Sequence, residues 1–332
     1  MNNLPNNALP LKIGDSGIIV DDLHRLLTEA QFPAESNEGH FTTITTKAVR
    51  AFQKSRHLET TGICDLTTWF ALIEAGYRLG DRLLYLQSPM LRGDDIADLQ
   101  NKLGTLGFDS GRVDGIFGPN TEIAVRDFQR NAGLPIDAIF GPDSLHMLTR
   151  LGNLDSGHTV VTVREKESLI TRNIDLDQRQ VIIGEEGGLG SIVNSFFREF
   201  TNHHIKAETI SHSDMTQHAQ LCNTLEVDLY IGIVSSPTPS QSISFFSNQR
   251  YESPGGAYLS KLLHERFVPI LGQSLEIHGR ADQVLRETRM PAVVIRIGPA
   301  NELTRHTPSL AKATANAVIA WLTEPLKEED YS

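Results

Sequence analysis

Laid against itself with an offset of 76 residues, the N-terminal part of the chain repeats without a gap. Gly17 falls on Gly93, Leu23 on Leu99, Leu27 on Leu103, Phe32 on Phe108 and Phe41 on Phe117. The match continues with Thr45 on Thr121, Ala48 on Ala124, Val49 on Val125, Phe52 and Gln53 on Phe128 and Gln129, Leu58 on Leu134 and Leu72 on Leu148. Such a repeat commits this part of the chain to two copies of one supersecondary unit. Apolar residues return at helical spacing, as in Ile96, Leu99, Leu103 and Leu106, while Asp-Gly and Gly-Pro pairs punctuate the second copy. The pattern predicts a small three-helix unit over 8–78 and another over 84–151.

The 332 residues leave room for a further domain beyond the copies. Acidic residues outnumber basic ones by 41 to 30, a net charge of −11 with no basic half. Nucleic-acid binding and polybasic membrane contact draw on Lys and Arg, so both are excluded as expectations. Cys64 and Cys222 stand too far apart for a metal knuckle and are too few for a disulfide framework. No apolar run reaches the roughly 18 residues of a membrane span, and the first residues lack a basic-then-apolar leader. The expectation is a cytoplasmic protein.

A polar break, GNLDSGH, follows the second copy, and the stretch to 179 stays charged and aperiodic, so 152–179 reads as a linker. Beyond it, over 180–326, short β-rich runs (Val181 to Gly184, Asp228 to Val234, Ser242 to Phe246, Ala292 to Ile297) alternate with helical stretches such as Tyr258 to Leu271. This predicts an α/β domain, a central mixed sheet with helices on both sides, and an α plus α/β multidomain chain. The turn in VIIGEEGGLGSIVNSFF suggests a phosphate cradle only weakly. Val193 stands where a dinucleotide fingerprint needs its last glycine, and Glu185 and Glu186 repel a pyrophosphate. No G-x-S-x-G elbow occurs.

Residues 114 to 148, DGIFGPNTEIAVRDFQRNAGLPIDAIFGPDSLHML, resemble the peptidoglycan-binding domain of cell-wall enzymes, whose pattern is D-G-x-F-G-x-x-T, A-V-x-x-F-Q and G-L-x-x-D-G-x-x-G. The second copy departs only at Ala138, whereas the first has Glu38-Gly39 and Asp65-Leu66 at two of the motif pairs. The resemblance makes Asp114, Phe117, Asp137 and Phe140 the candidate ligand-binding residues, for a peptidoglycan precursor or muropeptide. The same phenylalanines and turn glycines also suit a plain helical core, since fold and function are separable.

Three blocks of the third domain, VIIGEEGG, VDLYIGIVSS and QVLRETRMPAVVIRIG, resemble the zinc-dependent N-acetylmuramoyl-L-alanine amidases. With the repeats, the arrangement resembles the actinobacterial CwlM-like family. For the amidases the resemblance implies two His ligands, a Glu ligand opening the following helix, and a catalytic Glu. Here those positions hold Glu186, Val234, no carboxylate in Leu189 to Val193, and Arg296. Valine has no lone pair for zinc and arginine accepts no proton near neutral pH. No His lies between Ala219 and Leu263, so a shift of register does not restore the site.

The expectation is therefore no catalytic residues, no metal and no cofactor. The chain reads as a catalytically inactive amidase-like protein that acts by binding, and the resemblance implies a regulator of peptidoglycan precursor synthesis. The resemblance implies the UDP-N-acetylglucosamine enolpyruvyl transferase as protein partner. The alternative is an active zinc amidase hydrolysing the lactyl-peptide amide. The CwlM-like regulators carry a Thr-containing C-terminal extension, whereas this chain ends KEEDYS. The cluster His203, His204, His212 and His218 matches no common ligand spacing and reads as solvated polar residues around a helix end. Arg296 either pairs with Glu185 or Glu186 at the vacated metal position or points into water.

Overall fold

The 76-residue offset reappears as matching helices in the computed structural model, which describes residues 9–34, 39–151 and 178–323. The first copy holds α1 (Ile18–Glu29), α2 (Thr43–Ser55) and α3 (Leu66–Ala75); the second holds α4 (Asp94–Thr105), α5 (Pro119–Asn131) and α6 (Pro142–Leu151). The copies start their helices by different chemistry. Pro119 and Pro142 take first-turn positions in the second copy, where proline's missing N–H costs nothing. The first copy uses caps instead: Thr42 and Thr45 form a reciprocal capping box, and Asp65 accepts the Thr68 N–H at 2.8 Å.

Each copy closes its own core. Leu23, Leu27, Val49, Phe52 and Trp69 belong to one cluster, and Leu99, Leu103, Phe117, Phe128 and Phe140 to another. The second cluster also takes in Leu79, ahead of the boundary expected at 84. Both copies lie in one compact unit, which also includes Gln249–Tyr251. Within it Arg56 of the first copy meets Asp94 of the second at 2.7 Å.

Three buried glutamines lock the turns between helices. Gln129 Nε2 donates to Asp137 Oδ1, the Ile139 carbonyl and Ser144 Oγ, while its Oε1 accepts the Ala138 N–H. Gln100 repeats the pattern with Asp114, Ile116, Thr121 and the Gly115 N–H. Gln53 does so with Thr61, Ile63, Thr68 and the Gly62 N–H. One amide thus satisfies the polar groups of a whole turn, which a small core could not otherwise bury. At the fourth such position, 76 residues before Gln100, stands His24, 3.0 Å from Thr45 Oγ1.

The second unit is built on a six-stranded sheet. In chain order it comprises β1 (Gln180–Glu185), α7 (Gly190–Asn202), β2 (Lys206–Ser211), α8 (Met215–Leu225), β3 (Leu229–Ser235) and β4 (Ser240–Phe246). There follow α9 (Pro254–Leu271), β5 (Glu276–Arg280), α10 (Gln283–Glu287), β6 (Ala292–Gly298) and α11 (Ala300–Thr323). The strand order is β2-β1-β3-β6-β4-β5, parallel throughout except that β4 runs against β6. β2 and β5, the outer strands, lie outside the runs from which the sequence predicts strands.

The main core lies on the face covered by α7, α9 and α11 and includes Ile183, Ile231, Ile295, Phe196, Phe200, Leu259, Leu263, Phe267 and Trp321. Trp321 Nε1 donates to the Gly255 carbonyl at 2.9 Å, tying α11 to the start of α9. On the other face α8 buries His218, Ala219 and Cys222, and α10 buries Val284 and Leu285. The linker expected over 152–179 lies outside the described residues except for 178 and 179, as do residues 324–326 of the expected third domain.

Replacing Gln129 by Leu keeps the volume but strands the Ala138 N–H and the turn acceptors. We expect it to lower unfolding stability by about 1–3 kcal/mol in denaturant titration, the cost of buried polar groups left unpaired. No change would refute the lock. Hydrogen bonds from the Ile139 N–H and from Gln129 hold the Asp137 carboxyl below its ordinary value. With the folded value below the unfolded one, this contribution is present above the unfolded pKa and lost as pH falls through the folded one. Asp137→Asn should therefore weaken the acid sensitivity of unfolding below about pH 4; an unaltered acid profile would contradict it.

Candidate functional site

Side chains alternate along each strand, and register partners share a face. Val181 and Ile183 of β1, Ile231 and Ile233 of β3, and Val293, Ile295 and Ile297 of β6 point into the main core. Val234 and Arg296 are register partners and stand on the opposite face, Val234 buried and Arg296 half-buried. Glu185 pairs with Ile233 and belongs to the core face; the next residue, Glu186, is exposed just past the end of β1. The sheet therefore sets Val234 and Arg296 side by side, and Glu186 one strand further along, at the carboxyl ends of three adjacent strands, where open α/β sheets place their ligands.

This donor set does not fit zinc. Glu186 offers one carboxylate, Val234 offers nothing and Arg296 is a cation. Among the described residues no three His, Cys, Asp or Glu side chains are grouped so as to hold a metal ion.

The anticipated ion pair between Arg296 and Glu185 or Glu186 is not formed. Strand alternation sends Glu185 away from Arg296, and Arg296 makes no ion pair among the described residues. Glu185 instead turns back over its own loop, where Oε2 accepts the N–H groups of Gly187 at 2.7 Å and Leu189 at 2.9 Å. Gly187 and Gly188, at φ 123° and 89°, provide the left-handed backbone this wrap needs. Burial pushes the Glu185 carboxyl up, but hydrogen bonds from Ser211, Leu189 and Gly187 and the nearby His218 outweigh it and leave it below its ordinary value. The carboxylate thus occupies the place at the start of α7 that a phosphate would need, which gives the weak cradle signal its physical explanation.

His218 corrects another expectation. It is fully buried rather than solvated, with Nδ1 2.8 Å from Tyr230 Oη and Nε2 2.8 Å from the His212 carbonyl. A carbonyl can only accept, so Nε2 carries a proton, and in the neutral ring Nδ1 accepts from the tyrosine. Burial holds the imidazole below its ordinary value, against the opposing pull of the His212 carbonyl and the two glutamates, and pushes the Tyr230 hydroxyl well above its own. Burial also pushes the Cys222 thiol up to about 12. None of these groups is exposed to a substrate. His203 and His204, at the end of α7, are half-buried and exposed, and His212 is exposed.

The His218–Tyr230 pair was missed in the sequence. Its signal is the pair of register partners Gly184 and Gly232: a Cβ at Gly184 would collide with Tyr230 Oη and His218 Nδ1.

In the second copy the candidate ligand residues serve the fold. Phe117 and Phe140 are buried in its core, so neither presents its ring to a ligand. Asp114 Oδ1 accepts from Gln100 and from the Ile116 N–H, and Asp137 Oδ1 from Gln129 and the Ile139 N–H. Asp114 is half-buried and Asp137 exposed.

Residues 16–72 and 92–148 match a putative peptidoglycan binding domain. The N-acetylmuramoyl-L-alanine amidase CwlM of Mycobacterium tuberculosis is 32% identical over 287 residues, covering 76% of this chain and 70% of that protein. The N-acetylmuramoyl-L-alanine amidase CwlL of Bacillus licheniformis is 32% identical over 163 residues, 42% of this chain and 45% of its own length. The catalytic domain of CwlV, an N-acetylmuramoyl-L-alanine amidase from Bacillus (Paenibacillus) polymyxa var. colistinus, aligns over 44% of this chain and 98% of its own, with a TM-score of 0.35 and 16% identity. With two peptidoglycan-binding repeats preceding an amidase-like domain, the chain belongs to the CwlM family.

Proposed function

We propose that the amidase-like domain binds without hydrolysing, and that the chain acts as a regulator of peptidoglycan precursor synthesis. One observation supports this reading: the strand-end residues Glu186, Val234 and Arg296, which the resemblance sets at the family's zinc and base positions, include only one, Glu186, that can donate to a metal. A hydrolase of this type needs a metal-bound water and a carboxylate to take its proton. Arg296 cannot serve as that base. The neighbouring His218, Tyr230 and Cys222 are buried and engaged in the fold, so they supply no substitute nucleophile or base.

The repeats support a peptidoglycan-related ligand, a precursor or muropeptide. The regulatory role, the enolpyruvyl transferase as protein partner and a cytoplasmic location belong to the same proposal. Among the described residues no helix is long and apolar enough to cross a membrane.

The test is amide cleavage of purified muropeptides by the full chain, with added zinc and with chelator. The expected outcome is no release of free stem peptide under either condition. Cleavage that zinc supports and chelator abolishes would establish an active amidase and overturn the proposal.

A further inference from the structure

The positions at the strand ends that do not fit a metal have a positive chemistry of their own. Arg296 is half-buried and has no carboxylate partner among the described residues, in a chain where acidic residues outnumber basic ones by 41 to 30. A guanidinium drawn partly out of water and unpaired among the described residues is poised for an anion, since its planar fork can meet a carboxylate or phosphate bidentately.

The surroundings add a donor and leave room. Ser242 of β4 is the antiparallel register partner of Arg296, on the same face and about 5 Å away between Cβ atoms by strand geometry. Ser242 is 5% exposed, and its hydroxyl makes no hydrogen bond among the described residues. On the other side stands the buried methyl surface of Val234.

Among the described residues the charged groups nearby do not neutralise Arg296. Glu186 follows β1, two strands away, or roughly 10 Å by sheet spacing. Glu276, the register partner of Ser242 on β5, is 3.0 Å from His278 Nε2.

We propose that this edge of the sheet is a binding site for one anionic group, a carboxylate or a phosphate, with Arg296 as its cation and Ser242 as a neighbouring hydroxyl donor. The inference deepens the binding-only reading and rests on it. It places the anion where an amidase would hold its metal and base. The anion can come from two sources, the carboxyl end of a stem peptide or the phosphate of a nucleotide-linked precursor.

The experiment is calorimetric titration of the full chain, in chelator, with N-acetyl-D-alanyl-D-alanine and separately with inorganic phosphate. The proteins compared are wild type, Arg296→Met, Arg296→Lys, Ser242→Ala and, as a control, Lys206→Met. Lys206 is an exposed cation at the opposite end of the strands. Wild type should bind at least one probe saturably, and the probe bound identifies the source. Arg296→Met should weaken that binding about tenfold or more, as expected for loss of a charge-assisted hydrogen bond. Ser242→Ala should weaken it less, Arg296→Lys should retain part of it, and Lys206→Met should match wild type.

Absence of saturable binding in folded wild type, or equal binding by Arg296→Met, would overturn the site. The two readings fail separately. Zinc-dependent cleavage would remove the binding-only reading, whereas failure of the titration with cleavage still absent would remove the anion site alone.

Discussion

Parallel pairing of β3 with β1 on one side and β6 on the other sets, residue by residue, what stands at the carboxyl edge of the sheet. Ile183, Ile231 and Val293 or Ile295 anchor that register because their side chains fill one continuous core. A slip of one residue would turn all of them outward. With the register held, Val234 and Arg296 must face one way and Glu185 the other. The chemistry of the edge is thus a consequence of core packing. The same constraint explains why Glu185 locks its own loop rather than pairing across the sheet: its strand position leaves the start of α7 as the place its carboxylate can reach.

The repeats obey a different economy. Each small core is too thin to hide polar turn groups by bulk, so a buried glutamine satisfies them from beneath, at Gln53, Gln100 and Gln129. This gives the recurring Phe-Gln and Asp-Gly pairs a structural basis. Asp114 and Asp137 are acceptors for those glutamines, and Phe117 and Phe140 are core residues. Neither phenylalanine therefore offers its ring to a ligand surface of the second copy, whereas Asp137 is exposed. Ile123 and Ile136, 54% and 51% exposed, show that apolar groups are available on its outside.

Much of this was legible in the sequence, for identifiable reasons. The repeat was plain because both copies keep the same helices at the same offset, and the inner strands because residues buried on both faces form apolar runs, as in Val181 to Ile183 and Leu229 to Val234. β2 and β5 were missed because they are edge strands: the pattern Lys206 to Ser211 is mostly exposed and carries no strong alternation. The face occupied by Glu185 was hidden because the sequence shows two adjacent glutamates without showing where the strand ends. His218 was misread because a histidine in a polar helix looks solvated until the space over Gly184 is seen to be filled by it.

The central claim is that the strand ends are in the amidase register but lack the donors for zinc. Zinc affinity of wild type and of the double variant Glu186→His, Val234→His, measured by equilibrium titration against a chromophoric chelator, tests it most directly. If the register is right, wild type holds substoichiometric zinc, and the two imidazoles, restored on adjacent strands, create a measurable site. Stoichiometric, chelator-sensitive zinc in wild type would contradict the account.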